Sequence, residues 1–258
     1  MKLNKAIKYS YQSLVYAFLY VPIIVILIFS LNNTPRSLLW QGFTFKWYEQ
    51  LLHDTDLMRV AWHSLVIGVL AATFASILGT LTAIGLHRYR FSGRQLMQAL
   101  IFFLIIVPDI VLAVALLMLY NAFSLPLGFW SILLAHTSFC MPFAAVMVLS
   151  RAKTLDPELV EAAKDLGASD STILRRILLP LLLPAILAGW LISFTLSLDD
   201  VMISFFVSGP TFQILPLKIY AMARLGASPE LNALCTLILA VTLLLILSAH
   251  SFMRKKSI

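Results

Sequence analysis

Apolar residues in this chain come in six long blocks, over residues 14–31, 62–86, 96–120, 131–150, 181–207 and 231–252, and nearly all of the Lys and Arg residues fall between them. A hydrocarbon layer about 30 Å thick takes roughly 20 helical residues to cross, and a helix surrounded by lipid or other helices needs no polar face. Blocks of this length and uniformity predict an all-α integral membrane protein with about six transmembrane helices. A β-barrel would instead show short strands of alternating polarity. Composition agrees: 60% of residues are hydrophobic and 12% charged, with a mean hydropathy of +0.92, far from the roughly quarter-charged balance of soluble domains. Residues 1–258 read as a single transmembrane domain that has to work inside a larger assembly.

The first block follows Lys2, Lys5 and Lys8. It is longer than the apolar core of a secretion signal and lacks a small-x-small cleavage site before Asn32 and Asn33, so it reads as an anchor. The net charge of +7 reports topology rather than nucleic-acid binding, because the cations sit in short connections and build no basic surface. With both termini in the cytoplasm, Lys2, Lys5, Lys8, Arg88, Arg90, Arg94, Arg151, Lys153, Lys164, Arg175, Arg176, Arg254, Lys255 and Lys256 lie inside. Only Arg36, Lys46, Arg59, Lys218 and Arg224 lie outside, the asymmetry that the positive-inside rule predicts. Residues 40–56 mix aromatic and polar side chains and suit a surface-lying segment, with Trp40, Trp47 and Tyr48 at headgroup depth. On the second block Ala71, Ala75, Gly79 and Ala83 recur every four residues and make a smooth stripe for close helix packing.

No residue pattern points to catalysis or to a metal. Cys140 and Cys235 lie inside apolar blocks without ligand spacing and read as small packing residues. His53, His63, His87, His136 and His250 are scattered, and no metalloprotease, nucleophile-elbow or phosphate-loop motif occurs. The chemistry lies instead in carboxylates: Asp109, Asp199 and Asp200 fall within predicted spans, where each costs about 2.5–3.5 kcal/mol to insert. Ser193, Ser197, Asp200 and Ser204 share one helical stripe bordered by Trp190, Phe194 and Phe205, and this face is expected to line a pathway or meet a polar partner. Asp199 points about 100° away and suits a helix contact. Asp109 follows Pro108, where a kink frees backbone groups for water or ligand. Carboxylates beside aromatic faces suit a cationic substrate; equally, such aspartates cap kinks or bind Arg or Ser on a partner.

The connection 151–180 is amphipathic. Asp156 suits a helix cap, Pro157 the first turn and Gly167 the end of a short helix, with a second helix beginning near Ser169 or Asp170 and leading through Ile173, Arg175 and Arg176 to Leu179-Pro180. Within it stand Glu161-Ala162-Ala163, Gly167 after three residues, Ile177 after nine more and then Leu179-Pro180. This spaced pattern resembles, without departure, the cytoplasmic loop of the inner-membrane permeases of ATP-binding-cassette importers. The resemblance implies that Glu161, Ala162, Ala163 and Gly167 belong to a coupling helix that docks in a cleft of an ATPase subunit. It also implies the type I importer permease architecture, and that ATP and Mg are bound by partner ATPase subunits and no cofactor by this chain.

Further stretches resemble the polyamine permeases of that family: Trp40-Gln41-Gly42-Phe43-Thr44, Arg88-Tyr89-Arg90-Phe91, Pro108-Asp109-Ile110-Val111, Leu127-Gly128-Phe129-Trp130-Ser131, Ser193 to Val201 and Ile214 to Tyr220. What this implies is a spermidine/putrescine permease of the bacterial inner membrane, paired with a second permease, two ATPase copies and a periplasmic polyamine-binding protein. The expected pathway residues are Asp109, Asp199, Asp200, Ser197, Trp190 and Phe194. The alternatives are an importer for putrescine alone or another small cation, or a proton-coupled carrier, which has no use for a docking loop.

Overall fold

The computed structural model describes residues 2–34, 39–156, 158–226 and 228–255, with side chains between 7 and 244. Arg36, Pro157 and Lys256 lie outside the described residues, as do the side chains of Lys2, Lys5, His250, Arg254 and Lys255. The chain runs through α1 (Lys2–Phe29), α2 (Lys46–His53), α3 (Thr55–Arg88), α4 (Arg94–Ile106), α5 (Asp109–Ala122), α6 (Phe129–Ala152), α7 (Glu158–Asp165) and α8 (Asp170–Ile173). A π-helical stretch, Leu174–Leu178, leads into α9 (Leu179–Asp199), followed by α10 (Met202–Val207), α11 (Leu215–Arg224) and α12 (Pro229–Lys255). Among the described residues no strand forms; a single antiparallel bridge joins Asn32 to Phe43.

Two compact units result, one from Met1–Met58 with Ile219–Ile258, the other from Arg59–Lys218. In the first, α1 packs on α12 and α12 on α2. Nothing along Ile7–Phe29 is buried, so an apolar helix of this kind needs lipid or another chain around it. Where α1 ends, Asn32 organises the following segment. Its Nδ2 donates to the Leu39 carbonyl (2.8 Å) and to Thr34 Oγ1 (3.1 Å), its Oδ1 accepts from the Gln41 amide (3.0 Å), and its own carbonyl accepts from Trp47 Nε1 (2.8 Å). The Tyr48 hydroxyl meets Ser30 Oγ at 2.6 Å, so α2 is stapled to the end of α1. The expected surface-lying segment is thus a loop and one amphipathic helix. Because Asn32 is fully buried and each polar group left without a partner costs about 1–3 kcal/mol, Asn32→Leu is expected to lower the melting temperature of the detergent-purified protein by several degrees.

In the second unit α6 is the central helix, with most of its residues buried. The small-residue stripe does pack: Ala71, Ala75 and Ala83 are fully buried, and a Cβ on Gly79 would stand 2.7 Å from the Ala145 amide nitrogen on α6. Gly189 on α9 likewise comes against Ala144, leaving 3.2 Å from a built Cβ to the Ala144 Cα. Glycine at both crossings lets backbones touch.

Four helical stretches are long and apolar enough to cross a bilayer: Ile7–Phe29, Thr55–Arg88, Phe129–Ala152 and Asp170–Asp199. Two predicted blocks depart from the expected rods. Residues 96–120 form α4 and α5, bent by 113°, since Val107 and Pro108 are both extended, with ψ of 132° and 134°. Pro108 disfavours helical geometry in the residue before it, and here Val107 leaves the helical region altogether, so the expected kink is a full break. Block 181–207 starts earlier and ends sooner: the helix is continuous from Asp170 to Asp199, then Asp200 turns extended with ψ of 122° before α10 begins. The π stretch lies where Pro180 has no N–H for the carbonyl four residues back, and the Leu179 amide bonds to Leu174 instead.

Candidate functional site

Two groups of residues stand out, one on the α6–α9 connection and one at the helix breaks. On the connection, Asp156 Oδ1 accepts from the Glu158 amide at 2.9 Å, capping α7. At the other end Gly167 has φ of +77°, its amide bonds to Lys164 (2.8 Å), and the Ala168 amide bonds to Ala163 (3.0 Å), a Schellman closure that only glycine makes without strain. Ser169 then caps α8 through the Thr172 amide.

The faces of α7 differ from the expectation in one respect. Ala163 is buried in the apolar cluster that holds Ile84, Val148, Ala152, Ile173 and Leu182, so its side chain seats α7 on its own chain. Glu161, Ala162 and Gly167 are exposed, together with Glu158, Asp165 and Leu166. Leu166 is 89% exposed, an apolar side chain left bare at the end of a helix whose exposed charges are Glu158, Glu161, Lys164 and Asp165. Arg88 at the end of α3 forms an ion pair with Asp170 at the start of α8, tying the connection to a second span.

At the breaks, Asp109 is the first residue of α5 and is exposed; Asp199 is the last residue of α9 and is exposed. Trp190 and Phe194 are half-buried and stacked, with centroids 5.2 Å apart and planes within 8°. Trp190 is held by Nε1 donating to Thr73 Oγ1 at 3.0 Å, and Phe194 lies over Gly68.

Asp200 and Ser197 turn inward. Asp200 is 8% exposed; its Oδ1 accepts from the Ile203 amide (3.1 Å), and its Oδ2 from the Ser204 amide and hydroxyl (each 2.8 Å), capping α10. His136 of α6, completely buried, places Nδ1 2.7 Å from Ser197 Oγ and Nε2 2.9 Å from Ser204 Oγ and 3.3 Å from Asp200 Oδ2. Of the expected stripe, Ser197, Asp200 and Ser204 therefore meet a polar partner in their own chain, across a break where a continuous helix was expected; the hydroxyl of Ser193, also buried, makes no hydrogen bond. His136 is the functional candidate that sequence reading set aside. Its partners stand 61 to 68 residues away, and its only local sign was a lone polar ring inside an apolar block. Among the described residues no three His, Cys, Asp or Glu side chains gather as for a metal.

Crossing helices without a soluble core, paired helix breaks that present carboxylates, and a capped helix seated on the ends of two spans define a polytopic membrane permease. The chain belongs to the family described as the binding-protein-dependent transport system inner membrane component, whose model matches residues 75–255. It is 47% identical over 255 residues to the spermidine/putrescine transport system permease protein PotC of Escherichia coli K12, covering 99% of this chain and 97% of that protein. It is 48% identical to the protein of the same name from Haemophilus influenzae, covering 96% of each. To the putrescine transport system permease protein PotI of E. coli K12 the identity is 41%, covering 87% of this chain and 82% of that one. In fold it is similar to a chain of a bacterial ABC transporter involved in import of alginate, with a TM-score of 0.76 at 17% identity over 97% and 96% of the two chains. It is also similar to one from the MetNI methionine ABC transporter, with a TM-score of 0.65 at 20% identity over 76% and 94%. The fold is that of type I ABC importer permeases.

Proposed function

We propose that this chain is a permease subunit of an ATP-driven importer of spermidine and putrescine. The observation that carries the reading is the 47% identity to PotC over 99% of the chain. With it stand the exposed carboxylates at two breaks and a stacked aromatic pair, groups that attract ammonium cations by charge and by the ring quadrupole. In this reading both termini are cytoplasmic and six segments cross the membrane, the α4–α5 pair and α12 joining the four longer helices. The chain joins a PotB-like second permease, two PotA-like ATPase subunits that bind ATP and Mg, and a PotD-like periplasmic binding protein. It performs no hydrolysis itself. Cargo released outside passes between the permeases as ATP-driven closure, transmitted through Glu161, Ala162 and the exposed end of α7 at Gly167, rearranges them. Ala163 holds that helix to its own spans. The similarity to PotI supports a second version, putrescine alone.

The test is uptake of radiolabelled spermidine and putrescine in cells lacking the chain. Wild type is expected to restore both; restoration of putrescine alone selects the PotI-like version, and restoration of neither overturns the substrate assignment. Asp109→Asn and Asp199→Asn, each removing a charge-assisted contact of about 1.5–3 kcal/mol, are expected to cut uptake at low cargo concentration roughly tenfold or more at equal abundance. Uptake at the wild-type level by either variant takes that residue out of the pathway.

A further inference from the structure

We propose that His136 is a positioning residue of the transport cycle: by holding Asp200 inside the chain it fixes the break between α9 and α10 and leaves Asp199 as the outward carboxylate of that break. The reference to transport rests on the importer reading above; the positioning itself rests on geometry.

Asp199 and Asp200 are neighbours in sequence and opposites in environment, the first exposed and the second buried. Asp200 takes two backbone N–H groups, one hydroxyl and the edge of the imidazole, three of them on Oδ2 and one on Oδ1, so both oxygens are engaged inside the chain. Its burial and these partners turn it away from an amine cargo. His136 is equally committed. With Nε2 protonated, the ring donates toward Asp200 and Ser204, while the Ser197 hydroxyl donates to Nδ1; every polar group in the cluster has a partner. Such a network between apolar helices is directional where packing is not, and it selects one geometry for the break.

The imidazole sits midway along a seam that joins α6 to both sides of the break. Ser131 Oγ donates to the Val207 carbonyl at the far end of α10 (2.6 Å), and Cys140 Sγ approaches the Ser193 carbonyl on α9 (3.4 Å). Beyond the seam, α10 packs on α5, the helix that begins with Asp109. One buried side chain thereby sets the segment next to Asp199 and, through α10, the helix that starts at the other exposed carboxylate. Asp200, which sequence reading placed on the pathway, becomes the part of the break that the clamp grips.

Isosteres separate this from a direct role for Asp200. Asparagine at 200 still accepts from the Ile203 amide through its oxygen, and its NH2 group, in the place of Oδ2, donates to Nε2 once the imidazole carries its proton on Nδ1; the same NH2 group faces the Ser204 N–H, donor against donor, so the cap on α10 is only half kept. Alanine at 200 keeps none of this. At 136, glutamine puts a polar atom where Nε2 stands and keeps the Asp200 contact; asparagine reproduces only the Nδ1 position.

The experiment measures spermidine uptake at equal membrane abundance, together with the thermal stability of the detergent-purified complex, for Asp199→Asn, Asp200→Asn, Asp200→Ala, His136→Gln, His136→Asn, His136→Ala and the His136→Ala/Asp200→Ala double variant. Expected are uptake within about threefold of wild type for His136→Gln, a loss for Asp200→Asn that is smaller than that of Asp200→Ala, and losses of roughly tenfold or more for His136→Asn, His136→Ala and Asp200→Ala. The double variant is expected to be no worse than the poorer single one, as for members of one network. Asp199→Asn is expected to lose uptake while keeping wild-type thermal stability. The proposal is overturned if Asp200→Asn loses uptake as Asp199→Asn does while the His136 variants transport normally, or if the losses from His136→Ala and Asp200→Ala multiply. Should the alanine variants fail to reach the membrane, the contrasts between glutamine and asparagine at 136 and between positions 199 and 200 decide the same question. Should wild type carry no polyamine, the importer reading for that cargo falls. The stability series then judges the clamp alone, and additive losses there overturn it.

Discussion

Cells expressing the Gly79→Val variant are expected to hold little of the protein in their membranes, and what is purified should melt well below wild type. Adding even a Cβ at this position brings it 2.7 Å from the Ala145 nitrogen, 2.9 Å from the Ala144 Cβ and 3.0 Å from the Met141 carbonyl oxygen. Two of these three are backbone atoms of α6, the most buried helix of its unit, and cannot swing aside as a side chain does. Relief requires α3 and α6 to separate along a seam that includes Ala75, Ala83, Ala144 and Ala145. Overpacking alone costs about 1–3 kcal/mol, and loss of contact along the seam adds to it. Gly85, on the same helix, has nothing within 4 Å of a built Cβ, so Gly85→Ala is the control and is expected to be neutral. Equal abundance of both variants would mean that the crossing is looser than the structure has it.

Glu161→Lys is expected to give the opposite combination: wild-type abundance and stability with uptake reduced tenfold or more. The side chain is exposed on α7, and surface substitutions of this kind usually change stability by no more than about 0.5 kcal/mol. Its exposed neighbours on the helix and at its end, Glu158, Lys164, Asp165 and the bare Leu166, leave a net negative charge beside an apolar point, which suits a basic cleft. A lysine there sets like charges against each other across the interface, which costs several kcal/mol. ATPase activity of the reconstituted complex, measured with loaded binding protein, is expected to continue without matching transport. Normal uptake by Glu161→Lys would remove α7 from the coupling path. Leu166→Asp, which leaves Glu161 alone, is expected to weaken the same docking from the apolar side.

What sequence reading captured and what it missed divide along local and tertiary lines. The bounds of α7 were legible because Asp156 and Gly167 act within a few residues of themselves, through a cap and a left-handed turn. Which way Ala163 faces was not, since Glu161, Ala162 and Ala163 look alike until the ends of α3 and α6 are there to cover one of them. Pro108 announced a disturbance in the third block; its size depended on Val107 also leaving the helical region. Of the polar stripe on the fifth block, Ser197, Asp200 and Ser204 converge, by means of the extended Asp200 and a histidine from another helix, whereas the buried Ser193 hydroxyl stays outside the cluster. His136 carries no local pattern at all. A buried imidazole is meaningful only through the groups it joins, and these are brought together by the fold.

The unbroken run from Asp170 to Asp199 has a mechanical meaning. Thirty helical residues make a rod about 45 Å long, anchored at one end by the Arg88 ion pair beside α7 and ending at the other in an exposed carboxylate. The π-helical stretch widens one turn without interrupting it. In the importer reading, displacement imposed on the near end is expected to reach Asp199 along one continuous helix, bent at most where Pro180 and Pro184 weaken its hydrogen bonding, and a flexible pair of glycines inserted in it is expected to lower uptake while leaving ATPase activity in place.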